Sequence, residues 1–75
     1  MYRIDLHGMR HREALLEVED RILAASQLGP FVMEIITGNS SVLQDKVFKL
    51  LDEYEFKYYI PASNLGMIVV NYNLI

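Results

Sequence analysis

The sequence predicts a small α/β (α+β) domain, a two-layer sandwich in which a mixed four-stranded sheet carries two helices on one face. Short segments alternate apolar and polar residues as strands do, and two longer segments repeat apolar residues at helical spacing. These segments follow one another in the order β-α-β-α-β-β. A chain of 75 residues has room for one hydrophobic core, so residues 1–75 are assigned to a single domain.

The first strand is predicted over residues 2–7, where apolar and polar side chains alternate until Gly8 ends the segment. An amphipathic helix follows from residue 10 to residue 27. Its apolar residues recur at i, i+3 and i+4 positions: Ala14, Leu15, Val18, Ile22 and Ala25. Gly29 and Pro30 indicate where this helix ends.

Residues 31–36 form a near-continuous apolar segment, which is typical of a central strand covered in part on both faces. The turn T-G-N-S follows, and Ser41 with Gln44 matches a capping box at the start of the second helix. That helix carries an apolar stripe of Leu43, Val47, Leu50, Leu51 and Tyr54. Residues 56–60 and 67–72 are predicted strands that can pair as an antiparallel hairpin.

Composition narrows the class of protein. The chain has no cysteine, which excludes disulfides and a thiolate zinc site. The start Y-R-I-D-L does not resemble a signal peptide, and no apolar segment approaches the roughly 20 residues of a membrane helix. We therefore expect a soluble, cytoplasmic protein with no membrane partner. The hydrophobic fraction of 52% also leaves self-association open.

The charge argues against strong non-specific binding of nucleic acid, because the formal net charge is −3 and such binding depends on Lys and Arg. The distribution is uneven, however. Arg3, Arg10, Arg12 and both histidines lie within the first twelve residues, and the remainder of the chain is acidic. A local site for an anionic partner is compatible with this pattern.

Two motifs, D-L-H-G from Asp5 and T-G-N-S from Thr37, end parallel strands and precede helices. The carboxyl ends of parallel neighbours emerge at one edge, so we expect both motifs in one crevice. Asp5 and His7 share a face and are roughly 6 to 7 Å apart along the strand, within reach of two side chains. An aspartate can hold an imidazole in one tautomer for general acid or base catalysis.

The second motif would add the backbone N–H groups of Asn39, Ser40 and Ser41, a site for phosphate at a helix N-terminus. Structural alternatives stay open for both motifs: Asp5 as an acceptor that ties loop amides together, and T-G-N-S as an ordinary turn with a serine cap. No metal site is predicted. A divalent cation such as Mg²⁺, held transiently by Asp5 and substrate phosphate, is the most these residues allow.

The sequence I-D-L-H-G at residues 4–8, a helix, and then I-I-T-G-N-S at residues 35–40 resembles the Smr (small MutS-related) domain family, as a stand-alone small member. That family carries an L-D-L-H-G motif on its first strand and a T/H-G-x-G motif on its second. The resemblance implies a fold similar to the C-terminal domain of translation initiation factor 3. It also implies a protein that acts on RNA or DNA, either as an endonuclease or as a binding protein without cleavage activity.

By motif match the resemblance makes Asp5 and His7 the catalytic candidates. The candidates for nucleic-acid or phosphate binding are Gly8, Arg10, His11, Arg12, Thr37, Gly38, Asn39, Ser40 and Ser41. Two residues depart from the family pattern: Ser40 stands for the last glycine, and Asn39 stands where many members have a basic residue. The sequence thus predicts a nucleic-acid-binding domain with weak endonuclease activity. The alternative is a non-catalytic adaptor or homodimeric interaction module.

Overall fold

The computed structural model describes residues 1–73; residues 74 and 75 of the predicted domain lie outside the described residues. The chain forms β1 (Tyr2–Asp5), α1 (His11–Gln27), β2 (Phe31–Ile36), α2 (Ser41–Glu53), β3 (Lys57–Tyr59) and β4 (Met67–Tyr72). The predicted order of elements is confirmed. β1 ends two residues earlier than predicted, because the chain turns at Gly8, where φ is +79°, and the Met9 amide bonds to the Leu6 carbonyl.

The sheet is mixed and four-stranded, with the strand order β1-β2-β4-β3. β1 runs parallel to β2, and β4 is antiparallel to both β2 and β3. The hairpin of β3 and β4 is therefore confirmed. The sequence did not indicate that β4 lies between β2 and β3, where it pairs with β2 from Phe31 opposite Tyr72 to Ile36 opposite Met67.

Both helices cover the same face of the sheet and contact each other. The core between the layers is formed mainly by Ile4, Leu6, Ala14, Val18, Ile22, Met33, Ile35, Leu43, Val47, Leu51, Ile68 and Val70. Two contacts between the helices, His11 with Lys46 and Glu19 with Tyr54, have the same sequence separation of 35, so the helices run parallel. Their N-termini consequently lie at the edge where β1 and β2 end.

The start of α2 corrects the predicted capping box. Ser40, not Ser41, is the N-cap. Its hydroxyl oxygen accepts a hydrogen bond from the Leu43 backbone amide, with an N–O distance of 3.1 Å. The Gln44 side chain does not return to the cap; its amide donates to the Thr37 hydroxyl and the Leu65 carbonyl. Adjacent serines are both acceptable caps by sequence, and the extended backbone of Ser40 decides between them.

Tyr54 and Tyr58 both donate a hydrogen bond from the phenol to a carboxylate. Tyr54, predicted to belong to the apolar stripe, is 40% exposed, and its hydrogen bond to Glu19 raises its pKa. Tyr58 stacks on Phe48 with ring centroids 4.9 Å apart and donates to Asp52. Burial, followed by that hydrogen bond, raises the pKa of Tyr58 above its ordinary value of 10.0.

Replacing Ser40 with Ala should lower the free energy of unfolding by about 1 kcal/mol, because the Leu43 amide loses its acceptor. Ser41→Ala is the matched control: Ser41 is exposed, and its loss should change stability by less than about 0.5 kcal/mol. Urea unfolding monitored by circular dichroism measures both. Equal losses in the two variants would contradict the assignment of Ser40 as the cap.

Tyr58 should make the fold sensitive to alkali. A raised pKa in the folded state means that the folded chain favours the neutral phenol, so its contribution to stability is complete below the ordinary value of 10.0 and is lost as pH rises through the folded pKa. Tyr58→Phe should be less stable at neutral pH but lose stability less steeply above pH ~10. Urea unfolding across that range checks the slope, and a wild-type slope in the variant would be the contrary result.

Candidate functional site

The first motif forms the turn between β1 and α1. Asp5 and His7 are both exposed, and Oδ1 of Asp5 accepts a hydrogen bond from the backbone amide of His7 at 2.9 Å. The expected contact between the carboxylate and the imidazole is thus replaced by one between the carboxylate and the main chain. Asp5 fixes where the backbone of His7 lies, and the ring keeps both nitrogens for other partners.

The second motif lies directly beside the first. A Cβ atom at position 38 would be 3.6 Å from Cδ2 of the His7 imidazole, so the ring lies close beside Gly38. Gly38 has a φ of +69°, a conformation that favours glycine. The parallel pairing of Asp5 with Ile36 brings these two turns together. The expected proximity of D-L-H-G and T-G-N-S is confirmed, whereas a crevice between them stays a prediction.

A third segment, the loop between β3 and β4, completes this edge. The carbonyl of Gly66 accepts hydrogen bonds from the amides of Thr37 at 2.8 Å and Gly38 at 3.1 Å. Gly66 packs so closely that a Cβ atom there would lie 3.1 Å from the carbonyl oxygen of Gly38. The Oδ1 atom of Asn64 accepts a hydrogen bond from the Gly66 amide and stabilises the turn of the loop. The proline, asparagine and glycine of residues 61–66 indicate a turn in the sequence, but nothing local linked this loop to the two motifs, because its position depends on β4 pairing with β2.

The candidate binding residues differ in their exposure. Arg10, Arg12, Gly8, Asn39 and Ser41 are exposed, whereas His11, Gly38 and Ser40 are half-buried. Thr37 is buried, with 4% of its surface exposed, and its amide and hydroxyl have partners within the protein. Within residues 1–73 the backbone amides of Asn39, Ser40 and Ser41 make no hydrogen bond to the protein.

The N-terminus of α1 contributes further donors. Arg10 is its N-cap residue and makes no side-chain cap, so the amides of the first turn of α1 are not capped by a side chain. Lys46, from α2, lies beside this turn with Nζ 3.4 Å from Nδ1 of His11. Sequence reasoning missed Lys46, which no motif distinguishes; only the parallel packing of the two helices brings it to His11.

The structure contains little else that suggests a site. No cluster of three or more His, Cys, Asp or Glu side chains within residues 1–73 could hold a metal ion. Two shallow cavities lie at the opposite end of the sheet, around Phe31, Phe56 and Tyr72, and none of their lining residues belongs to D-L-H-G or T-G-N-S. None of the described helices has the length and apolar character needed to cross a membrane.

The architecture is an α+β sandwich in which the exposed His7 of the first motif lies beside Gly38 of the second motif, at one edge of the sheet. The family model described as "Smr domain" matches residues 4–64, which include both motifs. The chain therefore belongs to the Smr domain family, whose members are generally nucleic-acid-binding and nuclease-like proteins. No curated protein and no solved structure matches the chain.

The close approach of Gly66 to Gly38 should make position 66 intolerant of a side chain. Gly66→Ala would force the Gly38 backbone away and should cost about 1–3 kcal/mol of unfolding free energy. Ser63→Ala, exposed in the same loop, is the control and should be neutral. Urea unfolding and the amide chemical shift of Gly38 report the effect, and an unchanged Gly38 shift would refute the contact.

Proposed function

We propose that this chain binds nucleic acid at the edge where D-L-H-G meets T-G-N-S, and that it cleaves phosphodiester bonds weakly there. The observation that carries the proposal is the proximity of the His7 ring to Gly38. It joins the two motifs that mark the Smr family around one exposed imidazole. The phosphodiester is the natural substrate for such an edge, because it needs donors for its charge and a group that moves a proton.

The phosphate would be held mainly by backbone groups. The amides of Asn39, Ser40 and Ser41 lie at the N-terminus of α2, where the helix dipole favours an anion. The first turn of α1 opens on the same edge and carries Arg10 and Arg12. Arginines oppose the dipole at a helix N-terminus, and a bound phosphate would relieve that repulsion.

His7 would move the proton in the cleavage step. Its imidazole takes the proton from the attacking water or ribose hydroxyl, or returns one to the oxygen that leaves phosphorus. Asp5 is a positioning residue in this scheme, because its carboxylate holds the backbone amide of His7 rather than the ring. Weak activity follows from the acidic chain and from Asn39, which supplies no charge to the phosphate.

The open face of the sheet favours a second candidate, a non-catalytic interaction module or homodimer. Strand register places Val32, Ile36, Met67 and Val69 on the face opposite the helices. Tyr59 lies across from Val69 and is 56% exposed. These apolar side chains share the face with the ion pair between Arg3 and Glu34, and such a mixed surface can pack against a protein partner. The net charge of −3 favours this candidate over strong binding of nucleic acid.

Removing the imidazole should abolish cleavage. His7→Ala should lower kcat by about 10²–10⁴ on labelled RNA, single-stranded DNA or supercoiled plasmid, whichever the wild type cuts. Asp5→Asn, which keeps an acceptor oxygen for the His7 amide, should retain more activity than Asp5→Ala. Asp20→Ala, exposed on α1, is the control. If the wild type cuts none of these substrates, or if His7→Ala cuts as well as the wild type, the cleavage proposal is wrong.

Binding should depend on salt through the arginines of the first turn of α1. Arg10→Ala and Arg12→Ala should each reduce the slope of log Kd against log salt by about 1, because each removes one phosphate contact. Arg21→Ala is the matched control, since Arg21 pairs with Glu17 on the same helix. Fluorescence anisotropy measures the slopes. Binding that is indifferent to salt, together with a dimer in light scattering, would favour the interaction module instead.

A further inference from the structure

The side chain of Gln44 joins the two segments that enclose His7 and Gly38. Its Nε2 donates to the Thr37 hydroxyl at 3.0 Å and to the Leu65 carbonyl at 2.8 Å. Thr37 begins the second motif, and Leu65 lies in the loop between β3 and β4. One amide group on α2 thus uses both of its hydrogens to hold two loops that are 28 residues apart in the sequence (65 − 37).

These contacts fix the direction of the Thr37 hydroxyl. Since Gln44 donates to Oγ1, the single hydroxyl hydrogen must point away, towards the carbonyl of Gly38 or of Gly66, each 3.2 Å away. The amides of Thr37 and Gly38 already bond to the same Gly66 carbonyl. Because Thr37 is 4% exposed, water competes poorly for this network.

This hydrogen-bond network extends to Gly38, which lies next to the imidazole of His7. The amide of Gly38 donates to the Gly66 carbonyl, and the His7 ring lies close beside Gly38. A shift of the turn at Gly38 would therefore open space beside the ring and change the distance between the imidazole and the amides of Asn39 and Ser40. No other side chain within residues 1–73 bonds to both Thr37 and the loop at Leu65.

We infer that Gln44 is a positioning residue of the site, which sets the placement of His7 against the T-G-N-S turn by bonding Thr37 to the loop at Leu65. Gln44 itself does not touch the substrate. This inference rests on the proposed function for its effect on cleavage, whereas its effect on the His7 ring requires no substrate. Misplacement of a reacting group by an ångström can cost about a hundredfold in rate, so the effect on kcat should be large.

The decisive variant is Gln44→Met, which keeps the length of the side chain but removes both donors. The imidazole resonances of His7 should shift, and the Thr37 and Gly38 amides should exchange with solvent at least about tenfold faster than in the wild type. If the wild type cleaves nucleic acid, kcat should fall by about tenfold to a hundredfold while KM changes by less than about threefold. Gln27→Met, the same substitution at an exposed position of α1, should change none of these readouts.

A double-mutant cycle adds a second test. Thr37→Val removes the hydroxyl with little change of shape, so the shifts of the His7 resonances in Thr37→Val and Gln44→Met should not add in the double variant. Additive shifts would mean that the two residues act separately and would overturn the inference. So would Gln44→Met with unchanged His7 resonances and amide exchange, whatever its effect on cleavage.

A measurement on the wild type covers the case in which Gln44→Met does not fold. The side-chain amide hydrogens of Gln44 should exchange more slowly than those of Gln27, which is exposed. Equal exchange rates would refute the bonds to Thr37 and Leu65, and with them the inference. If no substrate is cut but the His7 resonances shift as expected, the proposed cleavage fails and the positioning role of Gln44 stands.

Discussion

Parallel pairing of β1 with β2 brings both strand ends to one edge of the sheet, and the meeting of the two motifs depends on it. The pairing of Asp5 with Ile36 sets the two following turns side by side, which gives the contact between His7 and Gly38. It also requires a crossover through α1, so that both helices run in one direction. Their N-termini therefore open on the same edge, and donors from two helices converge there.

Much of this arrangement could be predicted from the sequence, because it rests on local patterns. The order of elements correctly indicated that the edge of Asp5 and His7 also holds Thr37, whereas the predicted strand face shared by Asp5 and His7 is wrong, because β1 ends at Asp5 and His7 lies in the turn. The structure departs from the prediction where a choice depends on distant residues. Ser40 and Ser41 are equivalent caps by local sequence, and Asp5 can reach either the ring or the backbone of His7.

The roles of Gly66, Gln44 and Lys46 could not be predicted from local patterns, because each depends on contacts made by the folded chain. Gly66 and Gln44 act through contacts with Thr37 that span 29 and 7 residues, and neither contact has a periodic signature. Lys46 reaches His11 only because the two helices are parallel. This lysine supplies a positive charge near an edge where Asn39 supplies none.

The central position of β4 bears on how the chain acquires its fold during synthesis. Both motifs are complete by Ser40, and the match to the family ends at residue 64, yet β4 begins only at Met67. Until β4 inserts beside β2, the apolar edge of β2 is open, and the amides of Thr37 and Gly38 have no Gly66 carbonyl to bond. The residues of both motifs are therefore made well before the segment that completes the site, and a chain that ended before residue 67 would leave an unpaired edge of β2 that favours association.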